Sequence, residues 1–118
     1  MRVIVCGGRD YTNATHLFAW LDKFHAAFTI TEIIQGGQRG ADNLAKQWAQ
    51  KNKILVSSEF RARWTEYGKR AGPIRNQLML NQKPNAVIAF PGNTGTANMT
   101  SIARKAGIKV YDGSSLEW

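Results

Sequence analysis

One unit recurs along this sequence and constrains its fold more than any other feature: a short apolar run, a glycine-containing loop and a helical pattern. Its clearest copy is the apolar run 86–90, which ends at Pro91 and Gly92 and precedes a helical pattern at 99–106. Such runs are typical of strands buried on both faces. Strands that alternate with helices pair in parallel, with helices covering both faces of the sheet. The sequence therefore predicts an α/β fold with a five-stranded parallel sheet, whose other strands occupy 2–6, 31–35, 54–57 and 108–111.

Three of the predicted strands are followed by glycine-rich loops, at 7–10, 36–42 and 91–96. Ligands of open parallel sheets bind at the carboxyl ends of the strands, so we expect these loops to face one cleft. Free N–H groups and the positive end of a helix dipole favour anions there. Thr96 or Asn98 is expected to cap the helix after the last loop. An ordinary βα turn would explain any one loop, but three loops favour a shared pocket.

Composition limits the classes of protein that this chain can belong to. The 118 residues are enough for one domain, which we assign to residues 1–118. No apolar run approaches the roughly 20 residues that span a membrane, and Arg2 is followed directly by a strand-like run rather than a signal peptide. The single cysteine, Cys6, excludes an internal disulfide and a cysteine-cluster metal site. We expect a cytoplasmic protein without metal or cofactor.

The charge balance points to an anionic partner. Sixteen Lys and Arg residues against eight Asp and Glu residues give a net charge of +8. A field of this sign attracts phosphates, whether on a small nucleotide or on nucleic acid. The alternative is that the excess charge only aids solubility.

Two common phosphate-binding signatures are absent. The pattern Gly-x-x-x-x-Gly-Lys-Ser/Thr does not occur, which excludes a P-loop ATPase. No loop reads Gly-x-Gly-x-x-Gly, and the second strand ends in Gln35 rather than in an acid that would bind a ribose. NAD binding in the usual dinucleotide mode is therefore not expected.

Several single residues have both a functional and a structural interpretation. Asp10 can bind ribose hydroxyls or activate water, or it can cap the next helix. Asp42 starts the second helix, where a carboxylate suits the dipole, and capping is the favoured interpretation. Arg75 lies in the first turn of a predicted helix, where a cation is unfavourable, which suggests that it serves a ligand oxyanion. Trp64 and Tyr67 lie among cations and can stack on a base or cover the sheet edge.

Apolar spacing also predicts what the helices bury. Phe28 continues the apolar face of the first helix. The inner side of the helix that Pro73 opens is assigned to Ile74, Leu78, Met79 and Leu80. Cys6 is interpreted as a small core residue rather than a nucleophile. A dimer or higher homo-oligomer is expected through spare helix faces that carry Phe18, Trp20 and Phe28.

Taken together, four motifs resemble the YspA-type branch of the SLOG superfamily. They are residues 7–11 (GGRDY), 36–42 (GGQRGAD), 64–76 (WTEYGKRAGPIRN) and 91–96 (PGNTGT), and they span nearly the whole chain. The same superfamily includes the Lonely Guy phosphoribohydrolases and the DNA-processing protein DprA. The resemblance implies a Rossmann-like three-layer sandwich that binds nucleotides or nucleotide-derived signals.

The sequence departs from the hydrolytic members at the last loop. Those enzymes carry Pro-Gly-Gly-x-Gly-Thr followed by acidic residues, one of which acts on the ribose. Here Asn93 replaces the second glycine, and Asn98 and Met99 stand where the acids would fall. Through this resemblance Arg75 matches the catalytic arginine of the phosphoribohydrolases, but hydrolysis would need another acid. Asp10, Asp42 and Glu66 are the candidates, and the catalytic set we assign is Asp10, Glu66 and Arg75.

The leading hypothesis is a sensor or sequestering module for a nucleotide-derived small molecule. The first alternative is a hydrolase that cleaves an N-glycosidic or phosphoester bond in such a molecule. The second is binding of single-stranded nucleic acid, which the net charge and the aromatic–basic stretch 61–75 favour less strongly. The predicted ligand-binding residues are Gly7, Gly8, Arg9, Asp10, Gly36, Gly37, Gly40, Asp42, Trp64, Tyr67, Lys69, Arg75, Asn76, Gly92, Thr94, Gly95 and Thr96.

Overall fold

A computed structural model describes residues 1–57 and 60–115 of the chain. Helices and strands alternate as the sequence predicts, and a 3₁₀ turn at Gly68–Arg70 joins two of the helices. The strands are β1 (Arg2–Cys6), β2 (Glu32–Ile34), β3 (Leu55–Val56), β4 (Ala86–Ala89) and β5 (Lys109–Asp112). The helices are α1 (Ala14–Phe28), α2 (Ala41–Lys51), α3 (Trp64–Tyr67), α4 (Ala71–Leu80) and α5 (Thr94–Lys105).

The five strands form one parallel sheet in the order β3-β2-β1-β4-β5. β1 is central: Val3 pairs with Ile33 of β2 on one side and with Ala86 of β4 on the other. The chain builds outward from β1 to β3 and then returns to place β4 beside β1. The strand order therefore reverses between β1 and β4, and the carboxyl ends of these strands border the crevice where such sheets bind ligands.

Helices cover both faces of the sheet, which gives three layers. One core joins α1 and α2 to the sheet around Val3, Val5 and Trp48. The other joins α4 and α5 to the opposite face around Ile4, Met79 and Met99. The prediction of a Rossmann-like three-layer sandwich with a five-stranded parallel sheet is confirmed. No helix in the described parts of the chain is both long and apolar enough to cross a membrane.

The apolar face of α1 differs in part from the predicted one. Trp20 is fully buried and stacks on Phe24, with ring centroids 5.5 Å apart, whereas Phe28 is 37% exposed. Because Trp20 belongs to the core, it is not available as a subunit contact, and only Phe18 and Phe28 of the predicted contact set reach the surface. The homo-oligomer stays a prediction.

The inner side of α4 is partly polar, where an apolar side was predicted; of the predicted set, Met79 is buried. Arg75 and Asn76 are buried together with Met79, while Leu78 is 49% exposed. The prediction that Leu78 lines the core is wrong because α4 turns its polar side to the carboxyl edge of the sheet, where the cleft lies. The start of α5 also differs: its N-cap is Asn93, so neither Thr96 nor Asn98 is the capping residue.

Candidate functional site

A cleft of about 350 Å³ opens at the carboxyl ends of the central strands. Parts of all three glycine-rich loops reach it, as the parallel arrangement of the strands requires. Loop 7–10 contributes four consecutive residues, and the segments around α2, α3, α4 and α5 supply the rest. The lining residues are Cys6, Gly7, Gly8, Arg9, Asp10, Gln38, Asp42, Trp64, Gly72, Arg75, Asn76, Met79, Asn93, Gly95 and Thr96.

Backbone contacts hold the three loops against one another. The N–H of Gly8 donates to the carbonyl of Pro91 at 2.9 Å, and the carbonyl of Gly8 accepts from Ala41 at 3.3 Å. A Cβ on residue 40 would overlap that carbonyl oxygen, and the φ of +82° at Gly40 also favours glycine. Gly92 is equally enclosed, because a Cβ there would stand 2.8 Å from the Gly8 nitrogen. The glycines thus let three backbones approach closely.

We expect Gly40→Ala to destabilise the fold and Gly95→Ala to be tolerated. At Gly40 an alanine adopts a strained backbone, which costs about 1–3 kcal/mol, and its Cβ overlaps the Gly8 carbonyl. At Gly95, within the first turn of α5, a Cβ meets nothing within 4 Å. Chemical denaturation should show a clear loss of free energy of unfolding for Gly40→Ala and a change within about 0.5 kcal/mol for Gly95→Ala. Equal stability of the two variants would refute this packing.

Arg75 is the main cation inside the cleft, with only 8% of its surface exposed. Its Nε donates to the side-chain oxygen of Asn76 at 2.9 Å, and its Nη1 donates to the Gly36 carbonyl at 3.4 Å. Burial lowers the pKa of Arg75, the charge of Asp42 raises it, and the like charge of Arg9 lowers it further. The cleft thus holds two cations whose charges repel each other.

Asn76 links α4 to the start of α5. Its Nδ2 donates to the Gly95 carbonyl at 3.1 Å and to Oδ1 of Asn98 at 2.9 Å. Because Asn76 also accepts from Arg75, one amide fixes both the guanidinium and the first turn of α5. Asn98, which the sequence suggested as a possible cap and as the replacement of an acid, is part of this brace. Its sequence position did not indicate a contact with Asn76.

Asp42 is a buried carboxyl group next to Arg75, with 5% of its surface exposed. Burial raises its pKa to about 6, although Arg75 and the N–H groups of Gln38 and Gly36 act in the opposite direction. The Gln38 N–H lies 3.3 Å from Oδ2, in the loop that precedes α2. Asp42 therefore organises the loop and faces the cleft, whereas capping of α2 was the favoured interpretation.

The other two proposed acids lie in solvent. Asp10 lines the rim, is 87% exposed and pairs with Arg39 at 2.9 Å. Glu66 is 52% exposed, pairs with Arg63 at 3.2 Å and is not among the lining residues of the cleft. The structure therefore brings Asp42, rather than Glu66, next to Arg75.

The remaining predicted residues divide between the cleft wall and its support. Trp64 forms a wall, and a Cβ on Gly72 would lie 3.4 Å from its Cη2 atom. Tyr67 borders a neighbouring pocket that Leu78 and Arg75 also line, and Lys69 is exposed on the 3₁₀ turn. Supporting positions outside the cleft lining are Gly36, Gly37, Gly40, Gly92 and Thr94. Lining residues that the sequence-based set did not include are Cys6, Gln38, Gly72, Met79 and Asn93.

Cys6 forms part of the cleft floor without the properties of a nucleophile. It is 7% exposed, and burial, assisted by the charge of Asp42, raises the pKa of its thiol to about 12. Since the thiolate is the reactive form, Cys6 acts as a small core residue at neutral pH. Among the described residues, no group of three or more His, Cys, Asp or Glu side chains could hold a metal ion.

Comparison with known proteins places the chain in a family. The profile of the YspA, cpYpsA-related SLOG family matches residues 1–67. The Gene 61 protein of Mycobacterium phage D29 is 34% identical over 94% of both chains. The Methanocaldococcus jannaschii UDP-GlcNAc 2-epimerase shares the fold, with a TM-score of 0.56 and 19% identity over 95% of this chain, which spans about a third (32%) of that enzyme. On these matches the chain belongs to the YspA, cpYpsA-related SLOG family.

Proposed function

We propose that the cleft binds a phosphate-bearing nucleotide or nucleotide-derived small molecule, and that the protein acts as a sensor or sequestering module for it. The observation that carries this proposal is the buried Arg75, which lines the cleft together with Arg9 and the start of α5. A buried guanidinium is costly unless it is compensated by an anion. Asp42 and Asp10 also line the cleft, but Asp10 pairs with Arg39 at 2.9 Å. The three cations therefore outnumber the two acids, and an anionic ligand would complete the balance.

The first turn of α5 supports phosphate at this position. Asn93, Gly95 and Thr96 line the cleft, and the side chain of the N-cap Asn93 accepts no hydrogen bond from the helix. The N–H groups of a helix's first turn have no partner within the helix and carry its positive dipole end. A phosphate there would accept from these groups and from Arg75.

Trp64 supports an aromatic base as the second part of the ligand. Its side chain lines the cleft and is 48% exposed, which is unusual for so large an apolar surface. A base that stacks on the indole would cover this surface, while Arg9 and Gln38 lie beside Trp64 on the same rim. The arrangement therefore favours a nucleotide over inorganic phosphate.

A thermal-shift panel tests the proposal. Nucleosides should leave the melting temperature nearly unchanged, while the matching nucleotides raise it, because a ligand that binds the folded state stabilises it. The shift should decrease at high salt, since salt screens the phosphate contacts. Equal shifts with nucleoside and nucleotide would refute a phosphate-directed site.

One observation favours the alternative of a hydrolase. Asp42 lies in the cleft beside Arg75, and its pKa of about 6 suits a group that exchanges protons near neutral pH. Binding remains our proposal because this carboxylate accepts hydrogen bonds from the 36–40 loop and faces a cation, both of which engage its oxygens.

A turnover assay separates the two functions. We expect each mononucleotide and dinucleotide to be recovered intact after incubation with the wild-type protein. If the wild-type protein released free base or phosphate, and Asp42→Asn slowed this release by about 10²–10⁴-fold, hydrolysis rather than binding would be the function. Asp10→Asn is the matched control, because Asp10 lies at the exposed rim of the same cleft. If Asp10→Asn alone removed turnover, Asp10 rather than Asp42 would be the general base.

A further inference from the structure

A second cavity of about 280 Å³ lies beyond the 36–40 loop, on the side away from the cleft. It is formed at the carboxyl end of β2, between this loop, the first turns of α2 and Arg61. Among the residues that the structure describes, Gln38 is the one that lines both cavities. The lining residues are Gln35, Gly37, Gln38, Arg39, Asn43, Lys46 and Arg61.

Gln35 contributes a buried donor to this cavity. The side chain is 0% exposed, and its Oε1 accepts the Gly37 N–H at 2.6 Å. This contact fixes the orientation of the amide, so Nε2 is directed away from Gly37. Nε2 has no hydrogen-bond partner in the structure. Burial of an amide donor without an acceptor is costly, which indicates that an acceptor belongs at this position.

The rest of the lining is rich in donors and positive charge. Arg39, Lys46 and Arg61 all border the cavity, and the lining residues within 1–57 and 60–115 include no Asp or Glu; Arg39 also pairs with Asp10 at the rim of the cleft. Asn43 lies in the first turn of α2, whose N-cap Gly40 has no side chain to accept the helix N–H groups. Such a set matches a group that carries several acceptor oxygens and negative charge.

We propose that this cavity is a second anion site that takes a phosphate group. The proposal does not depend on nucleotide binding in the cleft. The phosphate has two possible sources: a separate phosphate-bearing molecule, or a further phosphate of the ligand that occupies the cleft. The second source is compatible with the geometry because Gln38 and Arg39 continue from this cavity to the rim formed by Arg9 and Trp64.

The first test is a titration of the ¹⁵N-labelled protein with inorganic phosphate at constant ionic strength, followed by amide chemical shifts. We expect saturable shifts at Gly37, Asn43 and the side-chain NH₂ of Gln35. Lys46→Gln should weaken this binding by roughly threefold or more, the scale of one charged contact near a surface. Lys51→Gln is the matched control: it removes a cation from the last turn of the same helix, outside the cavity.

Either no saturable shift at these three positions, or equal binding by Lys46→Gln and Lys51→Gln, would show that the cavity is not an anion site. Gln35→Met provides a second check, because it removes the buried donor at similar volume; a folded Gln35→Met protein that binds phosphate as wild type does would also overturn it.

Two further titrations distinguish the sources and separate this site from the cleft. If Lys46→Gln weakens ADP but not AMP, the cavity holds a further phosphate of the cleft ligand. If inorganic phosphate still shifts the three positions when AMP saturates the protein, the phosphate is a separate ligand. Arg75→Ala should weaken AMP binding by about ten- to a hundredfold and leave the phosphate shifts intact, so failure of the cleft proposal is visible independently.

Discussion

Arg75→Ala is expected to weaken the binding of a phosphate-bearing nucleotide by about 1.5–3 kcal/mol, which is roughly ten- to a hundredfold in Kd. The side chain is held in place before binding by Asn76 and the Gly36 carbonyl, so the ligand gains an ordered guanidinium at little entropic cost. Isothermal titration calorimetry with AMP or the best ligand of the thermal-shift panel measures the change. Added salt should weaken the wild-type interaction as well.

Two variants control for the loss of a positive charge. Arg75→Lys keeps the charge and loses the planar fork, so we expect an intermediate affinity. Arg104→Ala removes an exposed cation from the last turn of α5, at the end of that helix away from the cleft, and should change affinity by less than about 0.5 kcal/mol. If Arg104→Ala cost as much as Arg75→Ala, the interaction would be a general charge effect rather than a site.

Asp42→Asn is expected to alter the pH dependence of stability strongly between about pH 4 and pH 7. The pKa of Asp42 rises from 3.8 to about 6 on folding, mainly because the carboxyl group is buried. Between these pH values the folded state holds a proton that the unfolded chain has released, so the free energy of unfolding falls as pH rises. The loss is complete above about pH 6 and amounts to roughly 3 kcal/mol.

Denaturant titrations at several pH values check this expectation. From pH 4 to pH 7 the Asp42→Asn protein should gain up to roughly 3 kcal/mol relative to wild type, because the amide cannot ionise. The test compares how the free energy of unfolding changes with pH in the two proteins. A constant loss of stability from the missing carboxylate contacts therefore does not affect it. The Asp10 side chain is 87% exposed, so the plot of unfolding free energy against pH for Asp10→Asn should run parallel to that of the wild type. Parallel curves for Asp42→Asn would contradict the burial of Asp42 beside Arg75.

These two residues also show what the sequence could and could not predict. Convergence of the loops followed from the alternation alone, because parallel strands place all their carboxyl ends at one edge. Arg75 was selected because a predicted helix start at Pro73 put this cation in the first turn, where it is locally unfavourable. α4 begins at Ala71, so Arg75 lies in its second turn and that reason does not hold. Local rules were sufficient for the loops, whose position follows from the direction of the strands.

The acids were beyond such reasoning. Asp42 satisfies the rule for a carboxylate at a helix start, and that rule does not report whether the side chain faces solvent or a cleft. Glu66 lies in a segment without helical or strand periodicity, so its direction could not be read from spacing; it pairs with Arg63 in solvent. Leu78 was misplaced for a related reason, since periodicity predicts one buried face and cannot tell a core from a polar site.

The central claim, that Arg75 and the start of α5 hold a phosphate-bearing nucleotide, is tested most directly by native mass spectrometry. The wild-type protein, purified gently and then incubated with a mixture of mononucleotides and dinucleotides, should carry a nucleotide on its 13.2 kDa chain. The nucleotide should be released intact on denaturation, and the same treatment of Arg75→Ala should give the bare chain. A wild-type chain without nucleotide, or equal loading of Arg75→Ala, would contradict the account.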